Sequence, residues 1–392
     1  MNKNKDVIAI VENFGFEFYN FRIPLVKYFE NKGFKVFVIV PHDNYLPKIQ
    51  AANIEPLSFT LKKNSISIIS FIQAIKELRN FNKDRNFSIV HSFKLQPNIL
   101  TCFAFGFNKN VKIVNHVTGL GYAFTSKTFK SLVYRFITIV LYQIAFLLSD
   151  RIIVQNNEDR KILSRLLFIS KKIDLVKGIG IDDFKFNRKN VDKEKVSLLK
   201  NSISLKHDEI VVTFIGRLII EKGIKEFLIV ANKIIKIKKN IKFVIAGWFD
   251  KNNPSCLKEY EFYNYTKSAN IIYLGQIFDV RELLYITNIL VLPTYREGFP
   301  RSVLEAMAME VPVITTSVPG AQEAVINNLN GLIVKPKNTE ELKCALLKLI
   351  ENPELRSEMG KNGRILVEKN YKSEIIFNQI FEIYKEILNK KL

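Results

Sequence analysis

Short apolar runs alternate with helix-forming stretches along most of the chain, and this alternation constrains the fold more than any other feature of the sequence. In the first half, the apolar runs predict strands at 7–11, 35–40, 88–91, 111–116 and 151–154. The helical stretches between them lie at 19–31, 65–80, 97–107 and 128–149. Strands that alternate with helices indicate a parallel sheet with helices packed on both faces.

The same alternation restarts after a polar stretch rich in Lys and Asn. The predicted strands are now 209–215, 241–246, 271–274, 289–292, 311–314 and 332–334, with helices beginning near Lys222, Pro254, Val280, Arg301 and Thr339. At 392 residues the chain is long for a single core. We therefore predict an α/β fold of two Rossmann-like, doubly wound domains that face a cleft. The predicted bounds are 1–185 for the first domain, 186–207 for a linker, 208–370 for the second domain and 371–392 for a C-terminal helix that packs back toward the first.

The chain carries a net charge of +21, from 59 basic and 38 acidic side chains. Such a charge suits nucleic acid, a lipid surface or a phosphorylated substrate, and does not choose among them. Three cysteines without CxxC spacing argue against a disulfide framework and a structural zinc site. No signal-peptide pattern begins the chain, and the longest uncharged run, 136–149, is short for a membrane-spanning helix. These features predict a cytoplasmic protein.

Two carboxylates bracket a predicted strand-to-helix junction in the second domain. Glu297 follows the apolar run 289–293, and Glu305 comes after seven intervening residues, just over one turn into the helix. Open α/β sheets bind ligands at this edge, and a helix start there favours phosphates. Two solvated acids around a capped helix are the simpler alternative. The Gly-Phe-Pro at 298–300 favours a ligand site, since it lets the backbone approach a ligand closely.

A second segment at the same predicted edge is basic. Arg217 and Lys222 flank the turn after the first strand of the second domain. A guanidinium fork and an ammonium beside a helix start suit a diphosphate. A solvated basic turn is the alternative, because the chain is rich in Lys throughout. The nearby pair of carboxylates favours phosphate binding.

The first domain offers weaker signals. Gly15 lies in its first strand-to-helix turn, where a glycine allows close approach of a phosphate or sugar, although the segment is not GxGxxG. His116 ends a strand before a glycine loop, and either contacts a sugar or caps that loop. The segment 127–149 joins Lys127, Lys130 and Arg135 to apolar residues. Its front half is typical of contact with anionic lipid, and its back half of a core helix.

Taken together, these segments resemble family 4 of the retaining glycosyltransferases. The resemblance rests on the Glu-x7-Glu element at 297–305, on 311–315, on the Pro-Gly-x2-Glu at 319–323 and on the Gly-Arg-x4-Lys-Gly at 216–223. Four shorter segments, 21–24, 37–41, 119–121 and 253–256, resemble a narrower group of family members. These members extend lipid-linked glycan precursors for capsules, O-antigens and protein glycosylation. One departure is the run 248–250, Trp-Phe-Asp, where the family often has a second glycine.

The resemblance implies a GT-B fold, a nucleotide-sugar donor and no metal or other cofactor. It implies that Arg217 and Lys222 neutralise the departing diphosphate, that Glu297 holds a donor-sugar hydroxyl and that His116 faces the sugar. The implied binding residues are Gly15, Gly216, Gly298, Phe299, Pro300, Arg301, Ser302, Val303 and Glu305, with Glu305 on the ribose and Gly15 facing the diphosphate from the first domain. Retention is expected by front-face attack, in which the leaving phosphate oxygen takes the acceptor proton.

The sequence thus predicts transfer of a hexose or N-acetylhexosamine, N-acetylgalactosamine among them, from a UDP-sugar to a polyprenyl-diphosphate-linked saccharide. The first domain would bind the acceptor, and the protein would lie peripherally on the inner face of the cell membrane, in contact with anionic lipid. One alternative is a UDP-sugar epimerase of the same fold, which needs no acceptor. The other is a basic nucleic-acid-binding protein, for which the sequence offers only charge and no stacking platform of aromatic residues; we predict no nucleic-acid partner.

Overall fold

The computed structural model describes residues 6–61, 68–120, 129–167, 172–251 and 253–388. The chain forms two compact units. The first unit contains Met1–Ile179 together with Ser373–Leu392, and the second contains Gly180–Lys372. Each unit has its own parallel sheet, and each sheet has helices between its successive strands.

The secondary structure follows the predicted alternation. The strands are β1 (Val7–Val11), β2 (Lys35–Pro41), β3 (Pro56–Phe59), β4 (Ile89–Phe93), β5 (Lys112–Val117), β6 (Arg151–Val154), β7 (Ile173–Leu175), β8 (Ile210–Ile215), β9 (Ile241–Ala246), β10 (Ile271–Tyr273), β11 (Ile289–Leu292), β12 (Val313–Thr316) and β13 (Gly331–Val334). The helices are α1 (Gly15–Phe21), α2 (Ile23–Asn31), α3 (Leu46–Ala51), α4 (Ile68–Arg85), α5 (Leu95–Phe105), α6 (Phe129–Leu147), α7 (Asn157–Leu167), α8 (Lys193–Ser202), α9 (Ile224–Ile237), α10 (Glu259–Tyr265), α11 (Arg281–Ile286), α12 (Arg301–Ala308), α13 (Ala321–Ala324), α14 (Thr339–Glu351), α15 (Pro353–Asn370) and α16 (Ser373–Ile387).

In the first unit, the strand order is β3-β2-β1-β4-β5-β6-β7, and every pair is parallel. The central strand β1 is buried on both faces. Ile8 and Ile10 belong to the core that α2 and α16 cover, whereas Ala9 and Val11 belong to the core beneath α4, α5 and α6. Because side chains alternate along a strand, two separate cores on one strand require helices on both faces of the sheet.

In the second unit, the strand order is β10-β9-β8-β11-β12-β13, again entirely parallel. Its central strand β11 is a continuous, fully buried apolar run, and the neighbouring strand β8 is apolar except for the buried Thr213 and is partly exposed only at its two ends. The prediction of two doubly wound α/β units is confirmed. In such a sheet the carboxyl ends of the strands meet at one edge, and this edge positions the candidate site.

The stretch 19–31 is two helices rather than the single helix that was predicted. Helix α1 begins at Gly15, and α2 follows it after a break at Arg22. Pro24 occupies the first turn of α2. Since proline has no N–H to donate to the preceding turn, the helical hydrogen bonds cannot continue through it.

The stretch predicted as a polar linker, 186–207, is part of the second unit. It holds a single 3-10 turn and helix α8, whose N-cap Asp192 accepts two backbone N–H groups. Phe186, Val191, Val196 and Ile203 are buried in the core of the unit. The interpretation as a linker was wrong because four apolar side chains, spaced along a mostly polar segment, anchor it to the core.

Helix α15 was not predicted, because it contains two glycines and many charged residues. Both glycines let α15 pack closely on α12 and the residues after it. A Cβ on Gly360 would lie 2.2 Å from the carbonyl oxygen of Glu310, and one on Gly363 would lie 3.4 Å from Met307. Tertiary packing therefore overrides the low helix propensity of glycine at these two positions.

Candidate functional site

The carboxyl ends of β8, β11 and β12 place three loops side by side in the second unit. The first loop leads from β8 through a 3-10 turn, Ile220–Lys222, to α9. The second leads from β11 to α12, and the third from β12 to α13. The first two loops and the first two turns of α12 contain the residues of the second unit that the sequence predicted for donor binding.

A glycine lets the first two loops meet. Gly223 has φ 72°, and a Cβ there would lie 2.0 Å from the carbonyl oxygen of Pro293. The meeting loops are joined by hydrogen bonds from the N–H of Tyr295 (2.8 Å) and the hydroxyl of Thr294 (2.9 Å) to the carbonyl oxygen of Glu221. Only a residue without a side chain allows this approach at a positive φ.

The approach brings Lys222 against Glu297. The ammonium lies 2.6 Å from Oε1 and 2.8 Å from Oε2 of the carboxylate. The lysine side chain is 22% exposed and the glutamate side chain 10%. A charge-assisted contact of both carboxylate oxygens to one ammonium fixes both groups in a partly desolvated site. The sequence predicted a role for each residue separately and did not predict the pair.

Glu305 lies on α12 and is almost buried. Its Oε1 accepts a hydrogen bond of 2.6 Å from Nε of Arg301, one turn earlier on the same helix. Burial raises the pKa of the Glu305 carboxyl, and the Arg301 guanidinium opposes that rise. The two residues therefore form a salt bridge within the first two turns of the helix.

The remaining predicted residues of this segment divide into backbone and core positions. Val303 is fully buried, and Phe299 packs against the ring of Tyr371 at 5.3 Å between centroids. Their side chains thus belong to the core, which leaves only their backbone groups for a ligand. Pro300 is buried as the N-cap of α12, and Ser302 is half-buried in its first turn.

A third loop fixes the backbone of Glu297 and Gly298. The N–H of Glu297 donates to the carbonyl oxygen of Pro319 at 3.1 Å. Gly320 has φ 76°, and a Cβ there would lie 2.4 Å from the carbonyl oxygen of Gly298. The Pro-Gly element after β12 therefore positions the Glu297 loop by close backbone contact.

Arg217 pairs with a residue that sequence reasoning did not select. Its Nη1 donates to Oδ2 of Asp250 at 2.8 Å, with side-chain exposures of 39% and 14%. Asp250 lies in the run 248–250, where the sequence departs from the family pattern. Gly216 precedes Arg217, and its carbonyl oxygen lies 1.9 Å from the position that a Cβ on Gly247 would take. A side chain at Gly247 would therefore clash with the backbone of Gly216, so close packing requires a glycine at position 247.

The segment after β9 packs on the Arg217–Lys222 loop, and we call residues 248–251 and 253–257 the brace segment. Leu218 N–H donates to the carbonyl oxygen of Trp248, and Leu257 N–H to that of Leu218, each at 2.9 Å. The Ser255 hydroxyl donates to Oε1 of Glu221 at 2.5 Å. The run Asn-Pro-Ser-Cys at 253–256, noticed only as a family likeness, was the signal that could have found this segment.

In the first unit, Gly15 is the first residue of α1. Its N–H donates to Oδ2 of Asp43 at 2.7 Å, and a Cβ would lie 2.4 Å from Oδ1 of that residue. The glycine is therefore required for close approach, and the group that approaches it in this structure is Asp43. The sequence predicted Gly15 and did not predict Asp43.

His116 lies within β5 and is 1% exposed. Its ring stacks on those of His91 and Phe93, with centroids 5.5 and 4.9 Å away. Burial lowers the pKa of His116 well below its usual value, and electrostatic interactions with His91 and Arg22 lower it further. The imidazole is therefore neutral. Gly121, from the loop that follows, lies outside the described residues.

Comparison with known proteins gives two family matches, to Glycosyl transferases group 1 over residues 196–366 and to Glycosyl transferase 4-like over residues 8–156. The chain is 31% identical to the N,N'-diacetylbacillosaminyl-diphospho-undecaprenol alpha-1,3-N-acetylgalactosaminyltransferase of Campylobacter jejuni, over 97% of this chain and 99% of that protein. It is 27% identical to the UDP-Gal:alpha-D-GlcNAc-diphosphoundecaprenol alpha-1,3-galactosyltransferase of Escherichia coli, over 85% and 84% of the two chains. A glycosyltransferase structure from Rickettsia africae has the same fold, with a TM-score of 0.79 and 21% identity over 99% of this chain and 100% of that one.

Proposed function

This chain belongs to family 4 of the glycosyltransferases, and we propose that it moves a hexose or N-acetylhexosamine from a UDP-sugar to a polyprenyl-diphosphate-linked saccharide. The donor sugar is N-acetylgalactosamine by analogy with the Campylobacter jejuni relative. Both relatives named above are transferases, which favours transfer over epimerisation. The enzyme acts with retention and without a metal or other cofactor.

The Lys222–Glu297 pair is the observation that carries this proposal. It holds a cation suited to phosphate and a carboxylate suited to a sugar hydroxyl 2.6 Å apart, at the ligand edge of a parallel sheet. Glu305, eight positions further along, supports the assignment as the ribose ligand, because a carboxylate accepts from paired hydroxyls. The start of α12 and Arg217 supply further groups for the diphosphate.

The bond changes follow from these roles. The acceptor hydroxyl bonds to the anomeric carbon while the bond from that carbon to the diphosphate oxygen breaks on the same face. The proton of the hydroxyl passes to the departing oxygen, so no separate base is required. Arg217 and Lys222 stabilise the negative charge that develops on the diphosphate, which is transition-state stabilisation by fixed charges.

We assign the positive charge of the chain to contact with anionic lipid, at the inner face of the cell membrane. Helix α6 exposes an apolar stripe at helical spacing, Phe136, Ile137, Val140, Ile144 and Leu147. The neighbouring helix α7 exposes three cations, Arg160, Lys161 and Arg165. Apolar side chains beside cations suit the interface of an anionic bilayer.

The back half of segment 127–149 packs in the core as predicted, since Tyr142, Ala145 and Phe146 are buried there, but its opposite face is exposed. Lys127 lies outside the described residues, as do the side chains of Lys130 and Arg135, so the predicted contact of the front half stays a prediction. Across the described residues, no helix has both the length and the apolar character to cross a membrane.

The proposal is tested by transfer assays with purified protein, a panel of UDP-sugars and an undecaprenyl-diphosphate-linked saccharide. We expect one UDP-sugar to react only when the acceptor is present. The variants Arg217→Ala and Glu297→Ala should each lose about 10²–10³-fold in kcat/KM. The matched variant Glu358→Ala, at an exposed position of α15, should keep wild-type activity. Undiminished turnover by either site variant contradicts the mechanism.

Two further measurements test the finer parts. The anomeric configuration of the new linkage, determined by NMR, should match that of the donor. Chelation with EDTA should leave the rate unchanged. An inverted product would exclude front-face attack, and a rate restored only by added metal would exclude metal independence.

A further inference from the structure

Lys94 has a backbone conformation that residues with side chains rarely adopt. It joins β4 to α5 with φ 71° and ψ 172°, a region populated essentially by glycine. The other non-glycine residues with positive φ in the described part of the chain have φ between 49° and 63°, and half of them are Asn, which tolerates the left-handed region. A lysine in this conformation is therefore strained.

Backbone hydrogen bonds hold the strained conformation. The N–H of Lys94 donates to the carbonyl oxygen of His116 at 3.0 Å, and its own carbonyl oxygen accepts from the N–H of Asn98 at 3.1 Å. The fully buried Asn98 side chain donates to the same His116 carbonyl and accepts from Ser92. Strain of this kind persists only where the surroundings over-determine it, and here a buried polar network does so.

The conformation directs an ammonium to the carboxyl edge of the first sheet. Nζ of Lys94 lies 2.9 Å from Glu17 and 3.9 Å from Glu12, and the side chain is 26% exposed. Glu12 is fully buried and already pairs with Arg22 at 3.3 Å. The partly exposed contact to Glu17 adds little stability. The ammonium has three N–H groups, and contacts to two carboxylates leave a donor for a further acceptor.

Two buried polar atoms at the same edge have no hydrogen-bond partner among the described residues. They are Nδ1 of His116 and Oδ1 of Asn13. Asn13 follows β1, which pairs with β4, and β4 pairs with β5, which contains His116. Buried polar groups without protein partners are commonly satisfied by a ligand or by water. Lys94 lies between them in the strand order.

The charges of this cluster balance, because Glu12 and Glu17 oppose Arg22 and Lys94. A diphosphate would add negative charge beside two carboxylates, whereas a saccharide oxygen would add none. We propose that Lys94 is a substrate-binding residue, whose ammonium donates a hydrogen bond to an oxygen of the acceptor saccharide. This inference rests on the proposed function, in which the first unit binds the acceptor.

The test compares Lys94→Met, Lys94→Gly and Lys94→Arg with wild type, using the undecaprenyl-diphosphate-linked N,N'-diacetylbacillosamine of the Campylobacter jejuni relative and UDP-N-acetylgalactosamine. Loss of a charged hydrogen bond should raise the acceptor KM about tenfold in Lys94→Met and Lys94→Gly, while the KM of the UDP-sugar stays within about twofold. Lys94→Arg should recover part of the loss. Lys109→Met, at an exposed position of the same unit, should match wild type.

Thermal unfolding separates binding from structure. Because glycine relieves the strain, Lys94→Gly should melt at a higher temperature than Lys94→Met, in spite of equal loss of acceptor binding. Ser204→Gly, which replaces an exposed residue of φ 49°, reports the effect of relieving positive φ elsewhere. The inference about Lys94 is wrong if Lys94→Gly keeps the wild-type KM for the acceptor, or if the KM values for acceptor and UDP-sugar rise equally. Either result leaves the proposed function standing. A wild-type enzyme that transfers no sugar to any lipid-linked acceptor overturns the proposed function and this inference with it.

Discussion

Lys222 and Glu297 are 75 positions apart in the chain and form one charged unit. Removal of either side chain takes the opposite charge at 2.6 Å away from the other, partly buried side chain, whereas the double variant loses both charges together. We expect Lys222→Ala and Glu297→Ala each to lower kcat/KM about 10²–10³-fold. Because the two act on one ligand, the double variant should lose far less than the product of the two single effects.

Urea unfolding of the same variants measures the pair without substrate. The double variant should be more stable than Lys222→Ala alone, since in Lys222→Ala the partly buried Glu297 carboxylate has lost the cation that lies 2.6 Å away. Strictly additive losses, both in activity and in the free energy of unfolding, would show that the two residues act independently.

The buried histidines of the first unit predict a dependence of stability on pH. Burial lowers the pKa of His91 from 6.5 to about 3, and it lowers that of His116 as well. Both rings are neutral in the folded state, whereas the unfolded chain takes up protons below pH 6.5. Stability should therefore fall as the pH drops from 6.5 toward 3, by up to about 1.4 kcal/mol per pH unit for each ring.

Urea unfolding between pH 4.5 and 7.5 tests this expectation. The double variant His91→Gln/His116→Gln should show a shallower fall toward acid than wild type. The exposed His42→Gln is the control and should keep the wild-type slope. Equal slopes for wild type and the double variant would mean that the two rings are not held neutral.

Among the elements, the turn from β8 to α9 depends on one glycine for its place beside the β11 loop. Gly223→Ala meets both an unfavourable φ and a carbonyl oxygen 2.0 Å from the new Cβ. Gly275→Ala meets a similar φ of 70° with no atom within 4 Å. The strained φ alone costs about 1–2 kcal/mol, so the difference between the two variants isolates the close approach of the loops.

We expect Gly223→Ala to lower the melting temperature more than Gly275→Ala. Gly223→Ala should also lose most of the activity, because a shift of this turn moves Lys222 away from Glu297. Activity close to that of wild type in Gly223→Ala would show that the site tolerates separation of the two loops.

At the scale of the whole molecule, the apolar stripe of α6 and the cations of α7 predict binding to anionic membranes. Phe136→Ser/Leu147→Ser removes the two most exposed side chains of the stripe, 69% and 63% exposed. Loss of that apolar area should release most of the protein from vesicles that contain phosphatidylglycerol. Co-sedimentation with such vesicles measures this.

Phe107→Ser is the matched control, because Phe107 is 84% exposed and lies just beyond α5. It should bind vesicles as wild type does. High salt should weaken wild-type binding, since cations contribute to it. If the stripe variant and the control bound vesicles equally, α6 would not be part of the membrane contact.

Local patterns in the sequence carried the prediction of the two sheets. Apolar residues that repeat with period two or period 3.6 depend only on neighbouring residues, and they placed eleven of the thirteen strands within a few positions. The short strands β3 and β7 were not predicted. The same locality explains the errors. The helix α15 was missed because its glycines are favourable only against Glu310 and Met307, and the linker prediction failed because its buried residues are sparse.

The residues Arg217, Lys222, Glu297 and Glu305 were selected as candidates from the sequence, because each follows a strand at the expected ligand edge, and their roles stay predictions. By itself, therefore, the sequence determined the fold class and the family, and it predicted the candidate site at the carboxyl edge of the second sheet. Only the tertiary structure decided the partners: Lys222 with Glu297, Arg217 with Asp250 and Gly15 with Asp43. Pairs of this kind join residues from different loops, and close backbone contacts at Gly223, Gly247 and Gly320 set the distances between such loops.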